Sequence, residues 1–354
     1  MIFKALQLCL WCTFPLFCFG MEEKVFFQSD KLKQLNLKVV EGEYTMEDDK
    51  MKSVPVIQMI DEQGIPYWYR RVFTEVCLTG ECRPVDVGIY WECTGDFLGL
   101  EVYREPLTKT DHSDFGVWDY RKLMSILEND WSALREYDFE ELVNEPSEDN
   151  DVDGISGATR KEVAKEAVEN AVYTTYTLWH LIHLGEKEQL AGLSYQQFGK
   201  QGYLDKLMSD GRYRKFVLEL FVQGKDIHAS VSQTLILEGL EKKDDKEVNV
   251  LAMRALSLAR MEDEAFQDKL ATIYRQLSVT EKVEMISSIR NIESLSTFFY
   301  KVLEDDLNLE NPWLCVRQLQ LLKHGKTQSQ KVRSVVEKLK LSEIPAVRKA
   351  ALEF

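Results

Sequence analysis

The chain has 354 residues, 45% of them hydrophobic and 29% charged, ordinary proportions for a globular protein with room for two domains. Its formal net charge of −15 and pI near 5.0 exclude nucleic acid as the expected partner, because an acidic surface repels phosphate backbones. The same charge disfavours anionic membrane surfaces.

Residues 1–20 read as a signal peptide. Lys4 supplies the positive charge, Ala5 to Phe19 is apolar apart from Gln7 and Thr13, and Gly20 is a small residue at the expected cleavage point. The run is too short for a membrane span. Cys18 offers an alternative lipid anchor, but Leu16-Phe17 before it lacks the small residues of a lipoprotein cleavage site. No later stretch is apolar for long enough to cross a bilayer, so a periplasmic or secreted protein with no transmembrane segment in the mature chain is expected.

Cys9, Cys12 and Cys18 fall inside the presumed signal, which leaves Cys77, Cys82, Cys93 and Cys315. In an oxidising compartment Cys77 and Cys82, flanking the short turn Leu78-Thr79-Gly80-Glu81, invite a local disulfide across a hairpin. Two free thiols are the alternative. Zinc is disfavoured, since no second ligand pair has the usual spacing.

Residues 21–64 are mixed in character, with a strand expected over Val54–Ile60. Over 66–104 the pattern is antiparallel sheet. Tyr67 to Cys77, Pro84 to Trp91 and Phe97 to Tyr103 carry β-branched and aromatic residues at period two, punctuated by Gly and Pro. One apolar face of such a sheet needs a cover.

Residues 106–120 read as a loop with Lys109, Asp111, His112, Trp118 and Tyr120. Aromatics there could stack on a flavin ring while Lys109 or His112 bonds its carbonyls. Alternatively Asp111 or Ser113 caps a turn while Phe115, Trp118 and Tyr120 anchor the loop on the core. Asp119–Leu134 follows as an expected amphipathic helix with Tyr120, Leu123, Leu127, Trp131 and Leu134 on one stripe.

Residues 136–153 are acidic. Asp149, Asp151, Asp153 and Gly154 resemble the opening of a calcium loop, but the closing position holds Arg160 where such a loop needs a bidentate Glu. A solvated linker is the default.

The segment Asp153-Gly154-Ile155-Ser156-Gly157-Ala158-Thr159 is a small-residue turn that lets a ligand approach the backbone closely. An expected helix from Arg160 to about Leu184 follows it and offers unpaired N–H groups to an anion. Asp153, Gly154, Ser156, Gly157, Ala158 and Thr159 resemble the attachment motif of the FMN-binding domain family, found in subunits of quinone oxidoreductases. The resemblance spans residues 65–185 and departs from the family at Lys161, where a hydroxyl residue is the rule. It implies FMN joined to Thr159 through a phosphoester by a metal-dependent flavin transferase. It also implies a turn shaped by Ser156 and Gly157, and a sheet-plus-helix fold. Thr159 as a plain helix cap is the alternative.

Within the expected helix, His180 and His183 share a face and could hold a metal or haem iron. With no third ligand identifiable, a packed aromatic helix is the preferred reading. After a junction at Gly185, helical segments succeed one another. Their spans are 203–221, 226–240, 246–259, 261–277, 280–288, 294–303, 312–322, 329–339 and 344–352. An apolar-x-apolar-Arg phrase recurs at Arg254, Arg317 and Arg348. Helix pairs at this spacing resemble HEAT-type repeats, with a plain bundle as the alternative.

The expectation is therefore an α+β FMN-binding-like domain over 21–185, an antiparallel sheet with covering helices. An all-α, HEAT-like solenoid follows over 186–354. Two functions follow from it: a secreted flavin-carrying electron-transfer protein whose helical arm docks a redox partner, or a flavin-free interaction scaffold. No Gly-x-Ser-x-Gly elbow supports a hydrolase.

Overall fold

The computed structural model describes residues 24–48, 51–76, 83–142, 166–200, 202–242, 244–290, 292, 294–323 and 329–354. The described chain divides into two compact units that meet in sequence between Tyr203 and Leu204. The first is built on an antiparallel sheet and the second is helical.

The sheet has the order β1-β7-β6-β5-β4-β2, with β3 also paired to β4. Its strands are β1 Val25–Gln28, β2 Lys38–Val39, β3 Tyr44–Glu47, β4 Ser53–Ile60, β5 Pro66–Thr74, β6 Val85–Glu92 and β7 Phe97–Tyr103. Strands β5, β6 and β7 are those the period-two pattern predicts, and β4 contains the strand expected over Val54–Ile60. A strand's side chains alternate between faces, so the register decides which residues meet. Trp68 lies opposite Trp91 and Val72 opposite Val87 on one face, while Tyr69 lies opposite Tyr90 on the other. The first face carries the core, with Trp68, Val72, Val87, Ile89, Trp91, Leu100 and Val102 all buried. In the mixed region before residue 64, β1 completes the sheet edge beside β7. The one-turn helix α1, Asp30–Lys33, lays Leu32 over Gly99, whose bare backbone makes room for it.

Three helices cover the core face: α2 Val117–Leu127, α3 Val172–His183 and α4 Glu186–Gln196. Each differs from the sequence expectation in an instructive way. Helix α2 stops at Leu127 rather than Leu134, because the Asn129 side chain accepts the Trp131 amide at 3.0 Å and turns the chain. Ser132 then caps a short 3-10 turn, Ala133–Glu136. Trp131 consequently leaves the apolar stripe and is 82% exposed, whereas Leu134 stays buried. The helix expected from Arg160 to about Leu184 is not continuous. Residues 166–171 are turns and bends, Asn170 adopts a left-handed φ of 58°, and α3 begins at Val172. Finally, the stretch expected to be a junction after Gly185 contains α4, which belongs to the first unit. Trp68 Nε1 donates to Ser194 Oγ at 2.9 Å, and Gln189 bonds both the amide and the carbonyl of Glu47. The unit boundary therefore lies beyond the expected break at residue 185.

The second unit is helical, as expected, after the junction helix α5, Tyr203–Ser209. Its helices are α6 Gly211–Val222, α7 Ala229–Glu241, α8 Lys246–Leu256, α9 Glu264–Tyr274, α10 Val279–Ser288, α11 Thr297–Asp306, α12 Pro312–Leu322, α13 Gln330–Leu339 and α14 Pro345–Glu353. The segment expected as one helix over 203–221 splits at Asp210, whose carboxylate caps α6 by accepting the Arg212 amide. Side-chain caps at Asp245, Asp263, Ser278, Ser296 and Ser329 start five further helices. Helix α6 packs on α8, α8 on α10, α10 on α12 and α12 on α14, while α7 packs on α9 and α9 on α11. Arg254, Arg317 and Arg348 of the recurring phrase lie on α8, α12 and α14, all in the first of these series, and all are exposed.

Candidate functional site

The motif Asp153–Thr159 lies outside the described residues, as do Lys161 and the proposed bridge partners Cys77 and Cys82. The structure does place the other half of the predicted flavin site, the 106–120 loop, and the residues that follow the motif.

A bridge between Thr108 and Asp114 closes the loop. Inside it the Lys109 amide donates to Ser113 O and the His112 amide to Lys109 O, each at 2.9 Å. Asp111 Oδ1 accepts from Ser113 N and Oγ at 3.1 and 2.6 Å, and these bonds hold its carboxyl below the ordinary range. His112 is exposed at the loop tip with a φ of 62°. The tight ring of bonds around it imposes that left-handed conformation. Lys109 points back instead, pairing with Asp119 at 3.0 Å. Asp119 also accepts the Gly116 amide at 2.8 Å and so fixes the start of α2.

Phe115 and Tyr120 anchor the loop on the core, but Trp118 does not and is 76% exposed. Tyr120 stacks on Phe27 at 4.2 Å, and its hydroxyl accepts the Leu107 amide at 3.0 Å. Burial pushes the Tyr120 phenol up to about 12.

The loop is joined to the chain just past the motif. Thr110 donates to Asn170 O twice, from its amide at 2.6 Å and its hydroxyl at 2.9 Å. Thr174 Oγ1, in the first turn of α3, donates to Thr108 O at 3.3 Å. Val168 and Ala171 are drawn in by Thr175, which accepts the first one's amide and donates to the second one's carbonyl. Thus Lys109 and His112 sit on a loop clamped to Asn170, while Asp153 through Thr159 precede that residue in sequence.

The remaining sequence candidates, His180 and His183, do not converge. One nitrogen of each ring faces a backbone carbonyl, His180 Nδ1 that of Tyr176 at 2.9 Å and His183 Nε2 that of Leu127 at 2.8 Å. A carbonyl only accepts, so both nitrogens carry hydrogen. The His180 ring stacks on Tyr176 at 3.7 Å. His183 is half-buried, and this desolvation pushes its imidazole below the ordinary value despite Asp130 at 3.6 Å. Trp179 Nε1 donates to Asn129 O at 2.9 Å, so α3 is an aromatic helix locked to the end of α2. Among the described residues no group of three His, Cys, Asp or Glu is placed to hold a metal ion, and no described helix is long and apolar enough to cross a membrane.

No family model, curated protein or solved structure matches this chain.

A second cluster was not anticipated. On the sheet face away from the core, Glu101 of β7 is buried and accepts hydrogen bonds from Gln28 Nε2 at 2.8 Å, Tyr90 Oη at 2.7 Å and Tyr103 Oη. Tyr69 and Tyr103 share a hydroxyl contact of 3.3 Å. Burial raises the phenols of Tyr69, Tyr90 and Tyr103, and the nearby Glu101 raises them further. Beside them Arg71 grips Asp86 with two 2.8 Å bonds and lies over the Tyr103 ring. Arg104 also reaches Asp86, at 3.1 Å. The phenols converge because Gly88 has no side chain: a Cβ there would lie 2.7 Å from the Tyr69 ring and 2.8 Å from Tyr103 Oη. Period-two alternation marks this face as the polar one, but the burial of Glu101 within Phe-Leu-Gly-Leu-Glu-Val-Tyr depends on partners from three strands.

Proposed function

We propose that the chain is an extracytoplasmic electron carrier with FMN joined through a phosphoester to Thr159. A flavin transferase attaches the cofactor. Asp153 and Gly154 open the turn, Ser156, Gly157 and Ala158 leave space for the phosphate, and the loop bearing Lys109 and His112 borders the ring. The observation that carries this reading is the clamp of Thr110 on Asn170, which ties that loop to the stretch of chain following the motif. His112, exposed at the loop tip, is the better candidate to meet a ring edge, since Lys109 is paired with Asp119. The helical unit serves as a docking arm for a protein redox partner. Its helices pack in two alternating series, which supports a HEAT-like solenoid in which each helix pair buries its apolar face only against its neighbours. Covalent attachment suits a secreted or periplasmic protein, where a dissociable cofactor would be lost by diffusion.

A flavin-free interaction scaffold is the second reading. It is favoured by Lys161 in place of a hydroxyl residue and by the engagement of Lys109 with Asp119. Co-expression with a flavin transferase, followed by intact-mass measurement, separates the two. The carrier gains the mass of FMN less water and loses that gain in Thr159→Ala. An unchanged mass in a competent host leaves the scaffold.

A further inference from the structure

Arg70 stands on the wrong face of its sheet for a cation. It lies in β5 between Trp68 and Val72, both buried in the core, and alternation puts it on their face. Its cross-strand neighbour is Ile89, and Val56 of β4 follows next along from the Ile57–Tyr69 pair. Both neighbours are buried and apolar. The Nη1 atom of Arg70 is buried and bonds to nothing among the described residues. The residue as a whole is only half-buried, so the rest of its side chain reaches solvent.

The adjacent Arg71 makes the contrast. It faces the other side and has its carboxylate, Asp86, in bidentate grip. On the core face, the inward positions of β4 to β7 carry Val54, Val56, Gln58, Trp68, Val72, Val85, Val87, Ile89, Trp91, Phe97, Leu100 and Val102, with no acid among them. A guanidinium has no neutral form to retreat to. Sheltering one of its nitrogens from water, with no acceptor among the described residues, therefore destabilises the fold that holds it. A residue placed at that cost, with one nitrogen shielded and a route to solvent beside it, is arranged to receive an acceptor from outside.

We propose that Arg70 is the anion-receiving residue of a ligand site on the apolar face of the sheet, taking a phosphate or carboxylate group. The planar fork of the guanidinium matches two oxygens of such a group. The inference does not rest on flavin attachment, which concerns Thr159 and is read by mass.

The test uses the full chain, produced without a flavin transferase and followed by thermal unfolding during titration with inorganic phosphate, acetate and chloride. A saturable upward shift with phosphate, acetate or both, and none with chloride, is expected for the wild type. In Arg70→Met the shift disappears, and the ligand-free melting temperature equals or exceeds the wild-type value. Arg70→Lys keeps the charge without the fork and retains a shift at least about tenfold weaker in concentration. Phosphate acting alone identifies a phosphate ester as the class, and acetate acting alone a carboxylate. A wild-type chain that shows no saturable shift with either oxyanion overturns the proposal. So does Arg70→Met with the shift intact. If Arg70→Met fails to fold, a shift in Arg70→Lys equal to the wild type's overturns it.

Discussion

Each unit sets a carboxylate among phenols and amides, buried in the sheet and half-buried in the helical unit, and the two solutions differ. In the sheet, Glu101 accepts three hydrogen bonds from Gln28, Tyr90 and Tyr103, on three different strands. In the helical unit, Asp306 accepts from Tyr274 at 2.9 Å and Gln318 at 2.8 Å, and pairs with Lys282 at 2.6 Å. Those partners come from α9, α12 and α10, so the network ties four successive helices together. Among the described residues the sheet network has no cation on Glu101, and it relies on an absent side chain at Gly88 for space. The helical network has a cation and needs no special backbone. Its loose end is Gln318 Oε1, which is buried with no partner among the described residues. A carboxylate satisfied only by neutral donors depends on all of them. One paired with a lysine tolerates the loss of a donor better.

The largest test of that contrast is Glu101→Ala. It leaves two phenols and an amide without their acceptor on a closed face, and a loss of about 2–4 kcal/mol is expected by chemical denaturation. An effect under about 1 kcal/mol would mean that water replaces the carboxylate freely. Gly88→Ala leaves every polar group in place and removes only the room. The 2.7 Å approach to Tyr69 must then be relieved by moving the rings, at a cost of about 1–3 kcal/mol. Hydrogen exchange should localise the change to β5, β6 and β7. In the helical unit, Tyr274→Phe removes one donor while Lys282 and Gln318 still hold Asp306, and about 1–2 kcal/mol is expected. A loss equal to that of Glu101→Ala would erase the distinction between the networks.

The smallest expected effect concerns pH. Burial lowers the His183 imidazole in the folded chain, so the unfolded chain binds that proton more readily. Stability from this group is present at neutral pH. It is lost as pH falls through the ordinary value of 6.5 toward the lowered folded one. Asp130 and Lys187 bear on the ring with opposite signs and keep the effect small. His183→Gln preserves a donor for Leu127 O, and its melting temperature should fall less than the wild type's between neutral and mildly acidic pH.

Much of the fold was legible in the residues. Period-two runs marked β5 to β7, and helical periodicity with breaks marked the second unit to within a few residues, because burial of one face imposes those periods locally. The misreadings share one cause. Trp131 continues the apolar stripe of α2 on paper, yet the Asn129 turn swings it into solvent. Residues 166–171 have helical composition, yet the bonds from Thr110 and Thr175 hold them out of a helix. Helix α4 was hidden because its partners, β3 and Trp68, lie far away in sequence.

Of the predicted site, the sequence alone selected Lys109 and His112, but only the structure distinguished a lysine paired with Asp119 from a histidine exposed at a loop tip. The chain's own chemistry settled acidity, strand periods and helix caps, since each depends on neighbours a few positions apart. Tertiary contact alone decided the burial of Glu101, the clamp on Asn170 and the sheltering of Arg70 Nη1 away from any acceptor among the described residues. A hydrogen bond or its absence depends on which distant strand or loop arrives beside a residue, and no local pattern encodes that arrival.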